Sequence, residues 1–335
     1  MKPVVFGMSG LRLTANEKAF FRDSDPAGYI IFGRNIEDKG QLRALTDELR
    51  ELHGRDDLAI LIDQEGGRVA RMTEPVWPKF PAGGRFGDLY DAAPATAIEA
   101  ARLNAQAIAE SLREVGITVN CLPLLDVRQP ETVEAIGDRA MGSDPNQVAA
   151  LGRAVIDGQQ RGGVVSVIKH MPGHGRAVVD SHLELPRVSA SREELELDIA
   201  PFRALSGAAM GMTAHIVYDA WDKERCASLS PVVIKDIIRG EIGFNGLLFS
   251  DDLDMKALKG DVPSRARDVV AAGCDIALNC WGRMDEMIAI ADLLGDIGDK
   301  VRRRLADAMA SLNSEREDAE LADLLCRRDA LMAAA

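Results

Sequence analysis

Residues 164–175 read VVSVIKHMPGHG, an apolar run of strand length that ends in a lysine and a histidine. A proline and two glycines in the last four positions exclude a continuing helix or strand, so the segment predicts a buried strand that leads into a loop. The strand is nearly continuous in apolar residues, which is typical of a parallel sheet covered by helices. The stretch therefore predicts parallel strands that deliver polar residues to one end of the fold.

The same pattern recurs along the chain, with segments of helical period between the apolar runs. The candidate strands are Val4–Gly10, Tyr29–Phe32, Leu58–Asp63, Ile117–Leu122, Val164–Lys169, Gly211–His215, Gly246–Asp251 and Asp275–Asn279. Eight strands alternating with helices predict an α/β fold with a single (β/α)8 barrel of TIM type over residues 1–335, with residues 302–335 forming extra helices outside the barrel. A doubly wound sheet is the alternative, but GMSGLRL at residues 7–13 lacks the glycine pattern of a phosphate-binding turn.

Composition excludes several classes of partner. The net charge of −13 argues against binding to nucleic acid or to an anionic membrane, because both attract basic surfaces. The five cysteines are scattered without metal-type spacing, which indicates reduced thiols and a reducing compartment. Neither a signal peptide nor an apolar stretch of membrane length is recognisable. We therefore expect a cytoplasmic protein, acting as a monomer, without a metal or other cofactor.

Polar residues cluster at or just beyond the ends of the predicted strands. They are Asp63, Asp126, Lys169, His170, His215, Asp251 and Asn279. A charged group at the end of an apolar run is costly to bury unless it is paired or used. Active sites of (β/α)8 barrels lie at this end. These residues are therefore predicted to line a common pocket.

Two segments carry candidate chemistry. Within the loop after residue 170, Asp180 precedes His182 by two residues, so its carboxylate can orient the imidazole for proton exchange near neutral pH. An apolar strand delivers Asp251 to the predicted pocket, where it can act as a nucleophile; the nearby Asp252 and Asp254 are better suited to helix capping or solvation. The loop is expected to close over a ligand, with Gly173 and Gly175 as flexible positions.

At these segments the sequence resembles glycoside hydrolase family 3, in particular its single-domain bacterial β-N-acetylglucosaminidases or β-hexosaminidases (the NagZ type). The similarity runs from GRNI at 33–36, through DQEGGRV at 63–69 and IGDRA at 136–140, to SDDL at 250–253. Its most specific part is KHMPGHGRAVVDSH at 169–182. Two departures from the family pattern are Met171, in place of an aromatic residue, and Val127-Arg128 after Asp126.

The resemblance implies a role for each matching residue. Asp251 would be the nucleophile that forms a covalent glycosyl-enzyme, and His182 the general acid and base with Asp180 as its partner. The residues implied to hold the terminal N-acetylglucosamine are Asp63, Arg71, Arg139, Lys169 and His170. The implied substrate is N-acetylglucosamine linked β-1,4 to an anhydro-muramoyl peptide, in peptidoglycan recycling. Nearby cations such as Lys169 and Arg139 are expected to lower the pKa of Asp251.

Other interpretations remain open from the residues alone. A β-glycosidase of broader specificity from the same family is one alternative. In another, an acetamido sugar supplies its own nucleophile. Lys169 at a strand end also suits a Schiff-base aldolase. His170, His174 and His182 could be counted as metal ligands. A sugar-binding protein without activity is a further alternative, although the two catalytic candidates are both present.

Two aromatic residues and one histidine are ambiguous from the sequence. Trp77 lies on a loop rich in proline and glycine, and we predict that it packs against the barrel. Trp281 follows the last predicted strand and is a candidate for stacking on a sugar. His215 either positions the surroundings of the nucleophile or is a core histidine with both ring nitrogens bonded.

Overall fold

The computed structural model describes residues 1–313 and 316–334. Eight parallel strands form a closed barrel, in which each strand pairs with its neighbours in chain order and the last pairs with the first. The strands are β1 Lys2–Gly7, β2 Pro26–Ile31, β3 Ala59–Ile62, β4 Val119–Asn120, β5 Val165–Met171, β6 Met210–Thr213, β7 Leu247–Asp252 and β8 Ile276–Asn279. The predicted (β/α)8 barrel is confirmed, and all eight predicted strands are present with ends shifted by a few residues.

Helices separate the strands. They are α1 Ala15–Ser24, α2 Lys39–His53, α3 Gly83–Ala92, α4 Pro94–Glu114, α5 Pro145–Arg161, α6 Arg192–Ala204, α7 Val262–Ala272, α8 Met284–Leu293, α9 Asp299–Ala310 and α10 Leu321–Ala333. A helical segment with π-type hydrogen bonds, Val233–Glu241, lies between β6 and β7. Short 3-10 segments are Gly33–Asn35, Gly137–Arg139, Ala227–Leu229 and Ser311–Asn313. Two further strands, Arg187–Val188 and Val217–Tyr218, pair in parallel outside the barrel and were not predicted.

Successive strand residues alternate between two apolar clusters. In β3, Ala59 and Leu61 belong to the cluster inside the barrel, whereas Ile60 and Ile62 belong to the cluster between the barrel and its helices. Because both faces of each strand are buried, the strands need apolar residues at nearly every position. This explains why the sequence shows continuous apolar runs rather than alternation.

The last helices cover two different parts of the barrel. Leu305 and Met309 of α9 join the apolar cluster of the barrel interior at its amino-terminal end. Helix α10 instead packs on α4, where Arg328 Nη1 donates to Asn104 Oδ1 at 3.0 Å. Residues 314, 315 and 335 of the predicted terminal segment lie outside the described residues. None of the helices in the described part of the chain has the length and apolar character needed to cross a membrane.

Candidate active site

Strand alternation brings five side chains to the carboxyl end of the barrel. Phe32, Asp63, Lys169, Asp251 and Cys280 each stand two positions after an inward-facing strand residue. Since side chains on a strand repeat with a period of two, these five point toward the barrel axis. All five line one pocket of about 310 Å³. This volume is at the small end of the range for small-molecule sites.

The pocket also brings together the other predicted site residues. They are Arg71, Arg139, His170, Asp180 and His182. The structure therefore places all eight predicted catalytic and sugar-binding residues around one cavity, although they span almost two hundred positions of the chain. In particular, Asp251 and His182 come from different elements and face the same space.

A network of buried charges forms the side of the pocket near β3 and β5. Lys169 Nζ lies 3.0 Å from Asp63 Oδ1 and 2.6 Å from Glu65 Oε1. Arg139 binds Glu65 through two hydrogen bonds of 2.9 and 2.8 Å, and Arg71 Nη2 lies 3.2 Å from Asp63 Oδ2. Sequence reasoning assigned no role to Glu65, which links Lys169 and Arg139, the two most buried cations of this network. The available signals were its place two residues after Asp63 and its inclusion in the DQEGGRV stretch at 63–69.

This network keeps Lys169 protonated. Burial alone lowers the pKa of the amine, but Glu65 and Asp63 outweigh burial and raise the pKa above its ordinary value. A Schiff-base lysine needs the opposite shift, because only the neutral amine is a nucleophile. The geometry therefore disfavours the aldolase interpretation and favours a role for Lys169 in binding.

Replacing Glu65 by glutamine is expected to lower the free energy of unfolding by about 3 kcal/mol, because it leaves buried cations without their carboxylate. Urea denaturation of the purified variant measures this loss. The matched control is Asp138→Asn, which removes an exposed ion pair with Arg68 and should cost less than about 1 kcal/mol. Equal losses in the two variants would contradict the importance assigned to the buried network.

Asp126 organises the adjacent wall of the pocket. It is completely buried, and its Oδ2 lies 2.9 Å from Nδ1 of His170. Its Oδ1 accepts hydrogen bonds from the backbone N–H groups of His170 and His174, at 3.2 and 2.7 Å. A carboxylate with this number of donors can hold one ring orientation. Asp126 therefore fixes where His170 meets a ligand.

Asp251 is held in its ionised form. Burial raises the pKa of its carboxyl, but the facing imidazoles of His170 and His215 and the N–H of Asp252 outweigh burial and lower the pKa below the usual value. The N–H of Asp252 donates to Asp251 Oδ1 at 2.8 Å. The pKa of Asp251 is lowered, as predicted, but the leading causes are these imidazoles and the N–H of Asp252 rather than Lys169 and Arg139, which are paired with Glu65.

The structure separates the three neighbouring aspartates that composition could not rank. Burial raises the pKa of Asp252 to about 7, so this side chain is not fully ionised at neutral pH. Asp254 is engaged in structure, because it pairs with Arg283 at 3.0 Å and accepts from Asn279 Nδ2 at 3.2 Å. Only Asp251 combines an inward direction with a lowered pKa.

His182 and Asp180 form a pair at the mouth of the pocket. Nδ1 of His182 lies 2.8 Å from Asp180 Oδ1, which also accepts from the backbone N–H of His182 at 2.9 Å. The hydrogen bonds from His182 outweigh partial burial and lower the pKa of Asp180, so the carboxylate stays ionised. Nε2 of His182 is thereby directed away from Asp180, and the side chain of His182 is 67% exposed.

The loop that carries this pair is anchored at its glycines. A Cβ at Gly175 would lie 1.8 Å from the carbonyl oxygen of Val127, and the carbonyl of Gly173 accepts from the Tyr218 hydroxyl at 2.7 Å. These glycines permit close packing. Their role as flexible positions of the loop stays a prediction. The departure at Met171 is also accommodated, since its Cε occupies space that a Cβ at Gly211 would fill.

Three residues predicted to line the pocket do not do so. One is Asp126, which instead holds His170 from outside the pocket lining. Asn279 faces outward, and the pocket is lined instead by Cys280. His215 is fully buried: Nε2 donates to the carbonyl oxygen of Asp252 at 3.0 Å, and Nδ1 is 2.6 Å from the Ser228 hydroxyl. His215 is thus a core histidine that also supports the backbone beside Asp251. Trp77 is buried, as predicted.

The side chains around the pocket can support a nucleophilic displacement that is coupled to proton transfer. An ionised carboxylate and an imidazole oriented by its own carboxylate border one small cavity, and a network of fixed charges lies beside them. A nucleophile and an acid or base placed around one bound molecule are what group transfer requires. Among the described residues, no cluster of three or more His, Cys, Asp or Glu side chains has the geometry of a metal site.

Comparison with known proteins gives a consistent result. Residues 4–311 match the family described as the glycosyl hydrolase family 3 N-terminal domain. The chain is 40% identical over 283 residues to a β-hexosaminidase of Alkalilimnicola ehrlichii, covering 83% of this chain and 80% of that protein. It is also 40% identical over 284 residues to a β-hexosaminidase of Neisseria meningitidis, covering 83% and 78%. The crystal structure of NagZ from Neisseria gonorrhoeae in complex with N-trifluoroacetyl-D-glucosamine superposes with a TM-score of 0.88 at 34% identity, covering 99% and 98%.

Proposed function

The chain belongs to glycosyl hydrolase family 3, and we propose that it releases terminal β-linked N-acetylglucosamine with retention of configuration. Its class, a glycoside hydrolase of the β-N-acetylhexosaminidase type, follows from this family and from relatives named β-hexosaminidase. The observation that carries the proposal is the shared pocket of Asp251 and the Asp180–His182 pair. A retaining glycosidase needs a nucleophile and an acid or base on either side of one glycosidic bond.

In the first step Asp251 attacks the anomeric carbon. Its carboxylate oxygen forms a bond to C1 as the bond from C1 to the leaving oxygen breaks. His182 donates the proton from Nε2 to the leaving oxygen, so that the aglycone departs as a neutral alcohol. Asp180 holds Nδ1 of His182 at 2.8 Å and stabilises the charged ring before the transfer.

In the second step water replaces the enzyme at C1. The neutral imidazole of His182 takes a proton from water, whose oxygen attacks the anomeric carbon and releases the Asp251 carboxylate. We propose water rather than phosphate as the acceptor. The two inversions at C1 leave the β configuration unchanged, and His182 returns to its protonated form.

The charged network is proposed to hold the sugar hydroxyls. Asp63 and Lys169 face the pocket from β3 and β5, with Arg139 beside them. Arg71 lines the same wall, and its buried Nε has no hydrogen-bond partner among the described residues. Together with His170, fixed by Asp126, these groups offer donors and acceptors to several hydroxyls at once. We assign them to the ring side opposite C1.

A route through the substrate's own acetamide is the alternative mechanism. It needs a second ionised carboxylate to orient the acetamide, and Asp252 is the neighbouring candidate. The pKa of Asp252, raised to about 7 by burial, weakens that role, whereas Asp251 remains ionised. We therefore favour the covalent route through Asp251.

We propose as substrate a muropeptide fragment in which N-acetylglucosamine is linked to an anhydro-muramoyl peptide, with peptidoglycan recycling as the setting. All five cysteines are free, which suits the reducing cytoplasm. Every residue with an assigned role lies in this one chain, so we propose a monomer as the functional unit.

Comparison of two nitrophenyl glycosides tests the substrate assignment. We expect para-nitrophenyl β-N-acetylglucosaminide to be hydrolysed with a kcat/KM at least about 100-fold higher than the β-glucoside, since a polar site loses hydrogen bonds when the acetamide is missing. Steady-state assays of the purified protein measure both constants. A preference for the plain glucoside would contradict the acetamido specificity and favour a β-glycosidase of broader specificity.

A further inference from the structure

The loop after β5 has two parts that differ in how they are held. Residues 172–177, here called the loop base, are buried except for the partly exposed Arg176. Residues 178–185, here called the loop tip, contain the Asp180–His182 pair and are largely exposed. A segment with few buried side chains contributes little to holding its own position. The tip therefore depends on the segments to which it is joined.

One ion pair ties the loop base to helix α6. Nε of Arg176 lies 2.6 Å from Oδ2 of Asp198, and Nη2 of the same guanidinium donates to the carbonyl oxygen of Glu194 at 3.1 Å. Asp198 is only 1% exposed, so its side of the pair is removed from water. A planar guanidinium that is bonded through two of its nitrogens has a restricted orientation. Arg176 thus fixes the loop base against one face of α6.

Asp198 depends on Arg176 for its charge. Its Oδ1 is buried without a hydrogen-bond partner among the described residues. Burial raises the pKa of its carboxyl to about 6, although Arg176 acts in the opposite direction. A buried carboxyl that loses its cation takes up a proton instead of remaining charged. Removal of Arg176 should therefore break the contact without leaving a bare charge in the core, and the variant should still fold.

The loop tip has longer hydrogen bonds than the loop base. In the base, the carbonyl oxygen of Gly175 accepts from the Thr132 hydroxyl at 2.6 Å. In the tip, the hydroxyl of Ser181 lies 3.4 Å from Nε2 of His174, and the carbonyl oxygen of Ser181 accepts from the N–H of Ala257 at 3.2 Å. Such distances lie at or beyond the long end of the usual range. The place of the tip beside the pocket is therefore set largely by the base.

Building on the proposed function, we propose that Arg176 and Asp198 are positioning residues for proton transfer. Their ion pair fixes the loop base from which Asp180 and His182 reach the leaving oxygen and the attacking water. Neither residue lines the pocket, so neither touches the sugar. Loss of the pair should slow proton transfer in both steps and leave the binding of the sugar and the attack by Asp251 unchanged.

Two substrates separate a positioning role from a general structural one. Arg176→Ala is expected to lower kcat/KM for di-N-acetylchitobiose by about 10- to 100-fold, because a displacement of about 1 Å in a catalytic group can have such an effect. For para-nitrophenyl N-acetylglucosaminide, kcat/KM should fall by less than about threefold, since nitrophenolate leaves without a proton. Its kcat should fall further, because water still needs the base, and azide should restore it. The inhibition constant of N-acetylglucosamine should stay within about twofold of the wild-type value.

Conservative variants show whether the ion pair itself is responsible. Arg176→Lys keeps a cation within reach of Asp198 and should bring kcat/KM for the disaccharide to within about threefold of the wild-type value. Asp198→Asn removes the charge but keeps an acceptor of the same shape, so its loss should be smaller than that of Arg176→Ala. The double variant Arg176→Ala/Asp198→Asn should lose no more than Arg176→Ala alone, because both changes act through one contact.

Arg102→Ala is the matched control. It removes another partly buried arginine, which pairs with Asp157 between α4 and α5 and lies outside the pocket lining. This variant should leave both kcat/KM values and the inhibition constant unchanged. If it reproduced the pattern of Arg176→Ala, that pattern would follow from lost stability, and the positioning role would be wrong.

The remaining outcomes distinguish this inference from the proposed function. If the wild-type protein hydrolyses both substrates and Arg176→Ala matches it, the positioning role is wrong and the activity stands. An equal loss on both substrates with weaker binding of N-acetylglucosamine also overturns it. If Arg176→Ala does not fold, the same difference between the two substrates in Asp198→Asn decides the question. If the wild-type protein hydrolyses neither substrate, the proposed function fails and the positioning role with it.

Discussion

Asp251→Ala is expected to lower kcat/KM for N-acetylglucosaminides by at least about 10⁴-fold, because no other group can form the covalent intermediate. The carboxylate is buried, lines the pocket, and has its pKa lowered despite burial, so it is ready to attack at neutral pH. The loss should be similar for good and poor leaving groups, since the nucleophile is needed whatever departs. Steady-state and single-turnover assays of the purified variant measure it.

Asp252→Asn is the matched control for this variant. It changes the neighbouring carboxyl, which also lines the pocket, while the N–H of residue 252 can still donate to Asp251. The expected loss is far smaller than for Asp251→Ala. If Asp252→Asn lost far more kcat/KM than Asp251→Ala, Asp252 would be the essential carboxylate. The route through the substrate's acetamide would then be favoured.

His182→Ala is expected to lower kcat/KM by about 10²–10⁴-fold for a disaccharide, whose alkoxide cannot leave without a proton. With para-nitrophenyl N-acetylglucosaminide the loss in kcat/KM should be much smaller, because nitrophenolate leaves unaided. The covalent intermediate should then accumulate, because water is no longer deprotonated by the imidazole. Azide, which needs no base, should restore turnover and give the β-glycosyl azide.

The adjacent Leu183→Ala variant controls for disturbance of the loop. Leu183 is 66% exposed and its side chain contributes nothing to the proposed chemistry, so activity should stay close to that of the wild-type protein. Asp180→Asn should resemble His182→Ala in weaker form, since it removes the negative charge that stabilises the protonated ring beside Nδ1. If His182→Ala lowered kcat/KM equally for the disaccharide and for para-nitrophenyl N-acetylglucosaminide, and if azide did not accelerate turnover, His182 would be excluded as the acid and base.

Much of the barrel could be predicted because each strand is buried on both faces. Continuous apolar runs such as residues 58–62 and 246–249 follow directly from this double burial. The strand ends were less accurate. β1 ends at Gly7 rather than Gly10, and β4 has only two residues because the next segment departs toward Pro123, which has no N–H to donate.

The pocket could have been predicted more sharply from strand alternation. Counting by two from the inward-facing Leu61 reaches Asp63, and from Phe249 it reaches Asp251. The same count from Leu278 reaches Cys280 and rejects Asn279, which strand-end position alone had included. Position at a strand end was therefore an incomplete criterion, since it ignored which face the residue occupies.

Other features were beyond this kind of reasoning. No role was assigned to Glu65, and Asp126 was predicted to line the pocket rather than to hold His170. Their contacts join residues 74 and 44 positions apart in sequence. The close contact of Gly175 with Val127 was not predicted, because the glycine content of a loop indicates backbone freedom and not which segment packs against it. Such contacts depend on the three-dimensional path of loops, which local patterns do not determine.

The central claim is that the Asp251 carboxylate becomes bonded to the sugar, and mass spectrometry after trapping tests it most directly. The protein is incubated with 5-fluoro-N-acetyl-β-glucosaminyl fluoride. The ring fluorine of this reagent should slow hydrolysis of the glycosyl-enzyme more than its formation, because fluoride is a good leaving group. We predict that the intact mass rises by one fluorosugar and that a proteolytic peptide containing residues 247–253 carries it on Asp251. Turnover of the reagent with unchanged protein mass, or a label on a different residue, would contradict the account.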